Sequence, residues 1–264
     1  MAVGDVALGK LDRQLDRAGV VGAITGAAGD DVVSGDAAND SINTGGDNDV
    51  IRVAPGDGFD AVTGGAGTDR IEATADNTVS GLTALATGEQ ITATGFSGVT
   101  SAGNGGAETL NFGAVTLTGI GSISGGGGAD VITGSNLADV LLGDAGADTI
   151  AGGGGDDTIT GGAGNDAMNG NAGNDTFRFE TGFGVDTLTG FDANPAGGGQ
   201  DRLDISALGI TAATFNASVA LTAAGGGANT LVTIAGAGSF TVVGAAPAGA
   251  AAQRVTIADF ILAP

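Results

Sequence analysis

The 264-residue chain contains no cysteine, no histidine, no tryptophan and no tyrosine; phenylalanine, at 10 positions, supplies every aromatic ring. Without cysteine there is neither a disulfide nor a thiolate metal site. Without histidine there is no imidazole for a catalytic triad, a general base or a zinc centre. No G-x-S-x-G, H-E-x-x-H or phosphate-loop motif occurs, and the prominent acids recur in repeated loops, which suits ligands better than a glycosidase pair. The expectation is that the chain is not an enzyme. Large side chains are also too few for an ordinary globular core.

Positive charge is scarce as well. Eight Lys and Arg stand against 30 Asp and Glu, a formal net charge of −22. Such an excess repels phosphate backbones and anionic lipid surfaces, so no nucleic-acid partner is expected and cations are the natural ones. No apolar run reaches the length of a membrane span, and the opening "MAVGDVALGKLDRQLDRAG" has no continuous apolar core of signal-peptide length. Neither a membrane span nor Sec export is expected.

What the chain has in abundance is glycine, at 54 positions, and nearly all its acids are aspartate. Glycine is used this heavily only where special dihedrals or close backbone approach are required, and no three-residue period supports collagen. The arrangement is a nonapeptide repeat. From 125 to 178 the sequence reads "GGGGADVITGSNLADVLLGDAGADTIAGGGGDDTITGGAGNDAMNGNAGNDTFR". Its sixth positions are Asp130, Asp139, Asp148, Asp157, Asp166 and Asp175; its eighth positions are Ile132, Leu141, Ile150, Ile159, Met168 and Phe177. Every unit opens on Gly (125, 134, 143, 152, 161, 170), and the fourth position is Gly except at Leu137.

A looser block spans 26 to 72, with Asp31, Asp40, Asp49, Asp60 and Asp69 followed by Val33, Ile42, Ile51, Val62 and Ile71. Val53 and Ala54 are extra residues that break its phase, Thr44 and Pro55 stand where Gly is expected, and Ala38 and Asp47 replace the fourth-position Gly.

A six-residue Gly-rich loop followed by a three-residue strand with its central aliphatic turned inward makes half a coil of a parallel β-roll. Two units then close one turn, and aspartates two units apart stack on one edge. Bare carboxylates at strand spacing repel, so a cation between them is expected. Ca²⁺ suits such a loop, because it takes six to eight hard oxygens and accepts backbone carbonyls beside carboxylates. The expected pairs are Asp130 with Asp148, Asp139 with Asp157, Asp148 with Asp166 and Asp157 with Asp175. In the looser block they are Asp31 with Asp49, Asp40 with Asp60 and Asp49 with Asp69. Counting one ion per pair gives roughly seven Ca²⁺ ions, which offset most of the net charge.

The G-G-x-G-x-D-x-U-x units of the two blocks resemble those of the RTX family, calcium-binding bacterial proteins secreted by type I machinery. The fold class expected is all-β: a right-handed parallel β-roll (RTX β-solenoid) in two blocks with a β-rich C-terminal cap. The expected organisation is an N-terminal cap with a helical segment over 1–25, β-roll blocks at 26–72 and 125–178, an irregular β connector at 73–124, and a C-terminal cap at 179–264. The helical pattern rests on Leu8, Leu11 and Leu15, with Lys10, Arg13 and Arg17 forming a basic foot. Phe177 is expected to close the apolar ladder as a larger plug, and seven of the 10 Phe lie from 177 onward.

The resemblance implies secretion by a Gram-negative bacterium to the medium or cell surface, with the final "ADFILAP" standing for the type I export signal. Its composition is similar to that of RTX-type surface-layer proteins. This implies a structural protein that folds on Ca²⁺ and assembles with its own copies, with lipopolysaccharide or surface polysaccharide as a further partner. The alternative is the C-terminal folding and secretion module of a larger enzyme, toxin or adhesin. Binding of ice or carbohydrate would need a repeated outward T-x-T row, which is missing.

Overall fold

The structure is a computed structural model and describes residues 6–7, 23–26, 28–35, 37–76, 79–85, 90–93, 95, 100–192, 200–224, 229–243 and 255–264. The helical segment expected over 8–19, with its leucines and its basic foot, lies outside the described residues. The chain divides into two compact units, Met1–Gly126 and Gly127–Pro264.

In the first unit short strands alternate between two parallel sheets. One sheet runs through Val32–Ser34, Val50–Val53, Arg70–Ala73, Gln90–Thr92 and Thr116–Thr118, which brings Val33, Ile51, Ile71, Ile91 and Leu117 into register. The other runs through Ala23–Thr25, Ser41–Gly46, Phe59–Ala66, Val79–Leu85, Thr100–Ala102 and Ser122–Ser124, aligning Ile24, Ile42 and Val62. The strands of the repeat block hold a central aliphatic inward, the period of two of an extended chain, so Val33, Ile42, Ile51, Val62 and Ile71 are all buried. Of the two added residues Val53 extends its strand by one pair, with Ala73, and Ala54 leads into a turn at Pro55 and Gly56, where its N–H donates to Asp57 Oδ2 at 2.7 Å.

The second unit repeats the plan more regularly. Val131–Thr133, Thr149–Gly154, Ala167–Ala172 and Gly184–Thr189 align Ile132, Ile150, Met168 and Leu188. Val140–Leu142, Thr158–Thr160, Thr176–Arg178 and Arg202–Asp204 align Leu141, Ile159, Phe177 and Leu203. Phe177 is therefore not the end plug expected from sequence. Leu203 lies beyond it and Phe260 beyond Leu203, since the strand Phe260–Ile261 pairs with Leu203 and Asp204. The roll continues because the residues after 178 still supply an aspartate two places before an apolar residue, in Asp186/Leu188 and Asp201/Leu203.

Past Asp204 the architecture changes. Gly238–Val243 lies parallel to Gly184–Thr189, and then Asn229–Ile234 and Val219–Ala224 add on antiparallel, ending that sheet among the described residues. Phenylalanines fill this end: Phe179 stacks on Phe240 with centroids 4.1 Å apart, Phe183 meets both edgewise, and Phe215 meets Phe260 at 5.0 Å. The described helices are one α-helical turn, Phe215–Ser218, and the 3₁₀ turns Ser206–Leu208 and Ile257–Asp259. None is long and apolar enough to cross a membrane.

Candidate metal centre

The sixth-position aspartates are buried although they carry charge: Asp31, Asp49, Asp60, Asp69, Asp130, Asp148, Asp157, Asp166 and Asp175 each expose at most 3 % of their surface, and Asp40 only 6 %. Asp139 is less enclosed. They form ladders, in which the backbone N–H of each Asp donates to Oδ1 of the Asp one coil later. The contacts are Asp130 to Asp148 (2.8 Å), Asp139 to Asp157, Asp148 to Asp166 and Asp157 to Asp175 (2.9 Å each). In the first unit they are Asp31 to Asp49 and Asp40 to Asp60 (2.8 Å each) and Asp49 to Asp69 (2.9 Å). Every pair expected from the spacing is brought together.

One carboxylate oxygen per residue is thus used to tie the coils. The other points into the loop. Oδ2 of Asp148, Asp157, Asp166, Asp175 and Asp186 is buried and accepts no hydrogen bond among the described residues. An unsatisfied buried carboxylate oxygen is costly unless a cation meets it. The unit-opening glycine forms the wall beside it, and a methyl placed on Gly152 would collide with both Asp157 Oδ2 and the carbonyl oxygen of Gly170. The same convergence of carboxylate and carbonyl surrounds Gly143, with Asp148 Oδ2 and the Gly161 carbonyl, and Gly134, with Asp139 Oδ2 and the Gly152 carbonyl. A carboxylate oxygen and a peptide carbonyl sharing a space that only glycine leaves open is the donor set of a hard cation. No three acidic side chains converge among the described residues, so a cation there would have to draw its remaining oxygens from carbonyls.

Electrostatics point the same way. Burial, reinforced by the carboxylates of Asp166, Asp130 and Asp144, pushes the Asp148 acid up to about 6. Burial, with Asp175, Asp139 and Asp156 near, pushes Asp157 to about 7. Burial also raises Asp49, Asp166 and Asp175. Asp139 has a different hydrogen-bond environment: Ser135 donates to its Oδ2 from both N–H (2.6 Å) and Oγ (2.8 Å). That loop, G-S-N-L-A-D, is the one in the second block whose fourth position is not glycine, and its serine occupies the carboxylate oxygen that the neighbouring loops leave open.

Three buried acids escaped the spacing analysis. Asp166 N–H donates to Asp186 Oδ1 at 3.0 Å and Asp175 N–H to Asp201 Oδ1 at 2.9 Å. Burial pushes Asp186 up to about 7 and Asp201 to about 6. Their separations of 20 and 26 residues conceal the repeat, though Gly182, Gly184 and Asp186-x-Leu188 carried the signal. Glu108 is the third; it is buried two places before buried Leu110, and its Oε2 and the Gly125 carbonyl line the space beside Gly103. A search for aspartate alone passes over G-N-G-G-A-E-T-L-N. A second ladder at the fifth position also emerges, in which Asn48 N–H donates to Asp30, Thr68 to Asn48, Asn174 to Asp156, Val185 to Asn165 and Gln200 to Asn174.

The model of the RTX calcium-binding nonapeptide repeat matches in four copies, at residues 23–52, 56–79, 118–141 and 142–177. The chain carries RTX calcium-binding repeats. RTX repeats bind calcium, and the proteins that carry them are generally secreted by Gram-negative bacteria. Among solved structures the RTX roll is similar to the AlgE6R3 subunit from the Azotobacter vinelandii mannuronan C5-epimerase, at 28% identity over 51% of this chain and 78% of that one, with a TM-score of 0.39. It is also similar to the extracellular lipase LipA from Serratia marcescens, at 17% identity over 90% of this chain and 40% of that one, with a TM-score of 0.36. No curated protein matches the sequence.

Proposed function

We propose that this RTX protein is a secreted structural protein and not an enzyme: it leaves the cell unfolded through type I machinery, folds on Ca²⁺ outside, and assembles with copies of itself into a surface layer or filament. The observation that carries the calcium step is the row of buried, unsatisfied Oδ2 atoms facing carbonyl oxygens. Asp130, Asp148, Asp157, Asp166 and Asp175 would hold ions with the loop carbonyls in the second unit, where Ser135 takes the second oxygen of Asp139, and Asp31, Asp40, Asp49, Asp60 and Asp69 in the first. Bound Ca²⁺ supplies the positive charge that lets stacked carboxylates remain ionised within the roll.

A chain of net charge −22 has a strong reason to stay expanded until cations arrive. Ca²⁺ also lowers repulsion between chains, which favours assembly at the cell surface. Circular dichroism with and without chelator tests folding, and light scattering with negative-stain microscopy tests assembly. A full β signal in excess chelator overturns the first step. A monomer at high concentration in millimolar Ca²⁺ overturns the second and favours a module that folds and exports a larger secreted protein. Deleting residues 252–264 should leave the protein inside cells carrying its transporter, and unchanged release overturns type I export.

A further inference from the structure

Between Asp204 and Arg254 lie 49 consecutive residues without a single charge, in a chain whose net charge is −22. This stretch forms the antiparallel strands of the second unit, and its first strand, Val219–Ala224, ends the sheet among the described residues. Natural edge strands are protected by charge, proline, a bulge or a covering element. Val219–Ala224 reads VALTAA, has none of the first two, and pairs with Asn229–Ile234 in unbroken register.

Its side chains show what is missing. Across the sheet Phe240, Val232 and Leu221 stand in one row. Phe240 and Val232 are fully buried while Leu221 is 39 % exposed, with no further strand beside it among the described residues. The backbone is equally open. The carbonyl of Ser218 accepts from Ala235 N–H, so by antiparallel alternation Ala220 and Thr222 bond inward and Leu221 and Ala223 turn their N–H and C=O groups to the open edge. Val219 N–H is already taken by the Phe215 carbonyl.

We propose that this edge is a homotypic docking strand: two copies of the chain pair Val219–Ala224 antiparallel about a two-fold axis at Thr222. Leu221 of one copy then exchanges backbone hydrogen bonds with the partner's Ala223, and the two Leu221 side chains cover one another's exposed flank. A second copy fits better than an unrelated partner for two reasons. The strand is complementary to itself in this register, and two strongly acidic bodies meet with least repulsion where both are uncharged. This proposal rests on the assembly reading above and assigns its contact.

The test is sedimentation velocity of the full chain in millimolar Ca²⁺, comparing wild type with Leu221→Lys and with Ile257→Lys, which adds the same charge at a residue 46 % exposed outside the edge. Leu221→Lys places two like charges across the axis and should weaken association by about tenfold or more, whereas Ile257→Lys should not. Hydrogen exchange of the wild type provides a measurement that needs no variant: Leu221 and Ala223 amides should gain protection with protein concentration. Association that is equally strong in Leu221→Lys, or amides that stay unprotected in the associated state, overturns the edge contact and leaves assembly standing. A wild type that never associates overturns both.

Discussion

At the residue scale Asp157 carries two opposed demands. Its Oδ1 ties the preceding coil through Asp139 N–H, and its Oδ2 is a buried charge with no hydrogen bond among the described residues. Asp157→Asn keeps an acceptor for the first and removes the charge from the second. It should raise the Ca²⁺ midpoint of folding about tenfold, since ligand charge sets affinity, while making the calcium-free state more stable than wild type. Circular dichroism titrations in Ca²⁺ and in chelator read the two signs separately. Acid should act like the same substitution. Folded-state values near 6 for Asp148 and Asp201 and near 7 for Asp157 and Asp186 lie above the ordinary 3.8, so the folded chain binds more protons than the unfolded one between about pH 4 and 7. Stability without calcium therefore falls as pH rises through that window, and chelated protein should gain β signal between pH 8 and pH 5. With Ca²⁺ present the trend reverses, because protons compete for the ligands. Backbone conformation gives a third contrast. Gly164, at φ 155°, lies against the Gly146 carbonyl, and Gly164→Ala should cost about 1–3 kcal/mol or more in Ca²⁺-bound thermal unfolding. Asp47, Asp144 and Asn171 hold the positive-φ sites that glycine does not among the described residues, because their side chains tolerate that region.

At the element scale each three-residue strand is too short to stand alone, and its stability comes from the aliphatic column it joins. Ile159 is fully buried between Leu141 and Phe177 in neighbouring strands. Ile159→Ala should cost about 2–5 kcal/mol in Ca²⁺-bound unfolding. Leu137, 58 % exposed on its loop, should tolerate alanine with a change within about 0.5 kcal/mol. The final strand matters for the same reason. Phe260 covers Leu203 and meets Phe215, so removing residues 255–264 should lower the melting temperature of the Ca²⁺-bound protein as well as affect export.

At the scale of the whole molecule the opposing quantities are the entropy of ordering 54 glycines and the repulsion of a −22 charge on one side, and a narrow aliphatic core with bound cations on the other. On the proposal that the chain folds on Ca²⁺, the first pair dominates without calcium. Chelation should therefore unfold the chain as a whole, with the transition midpoint following free Ca²⁺, as expected when a ligand binds only the folded state. Monovalent salt screens repulsion but cannot fill the Oδ2 sites, so it should restore only a small part of the β signal.

The sequence by itself determined the roll, its two-unit coil and the pairing of aspartates, because a nine-residue period leaves one way to bury every eighth residue while stacking every second loop. Thus Asp157 and Asp175 were legible as neighbours before any fold was known. Insertions hid what lay outside strict phase: Asp186 and Asp201 follow detours of two and eight extra residues yet return to the ladders, and Glu108 changes the residue type at a buried position two places before Leu110. The tertiary structure alone decided that Phe177 is an internal rung and that Leu203 and Phe260 follow it. It also decided that Ser135 already satisfies the second oxygen of Asp139, and that the uncharged stretch after Asp204 turns antiparallel to leave Val219–Ala224 at an open edge. Each of these depends on which distant strand stands beside which, and a local period carries that information only while it remains unbroken.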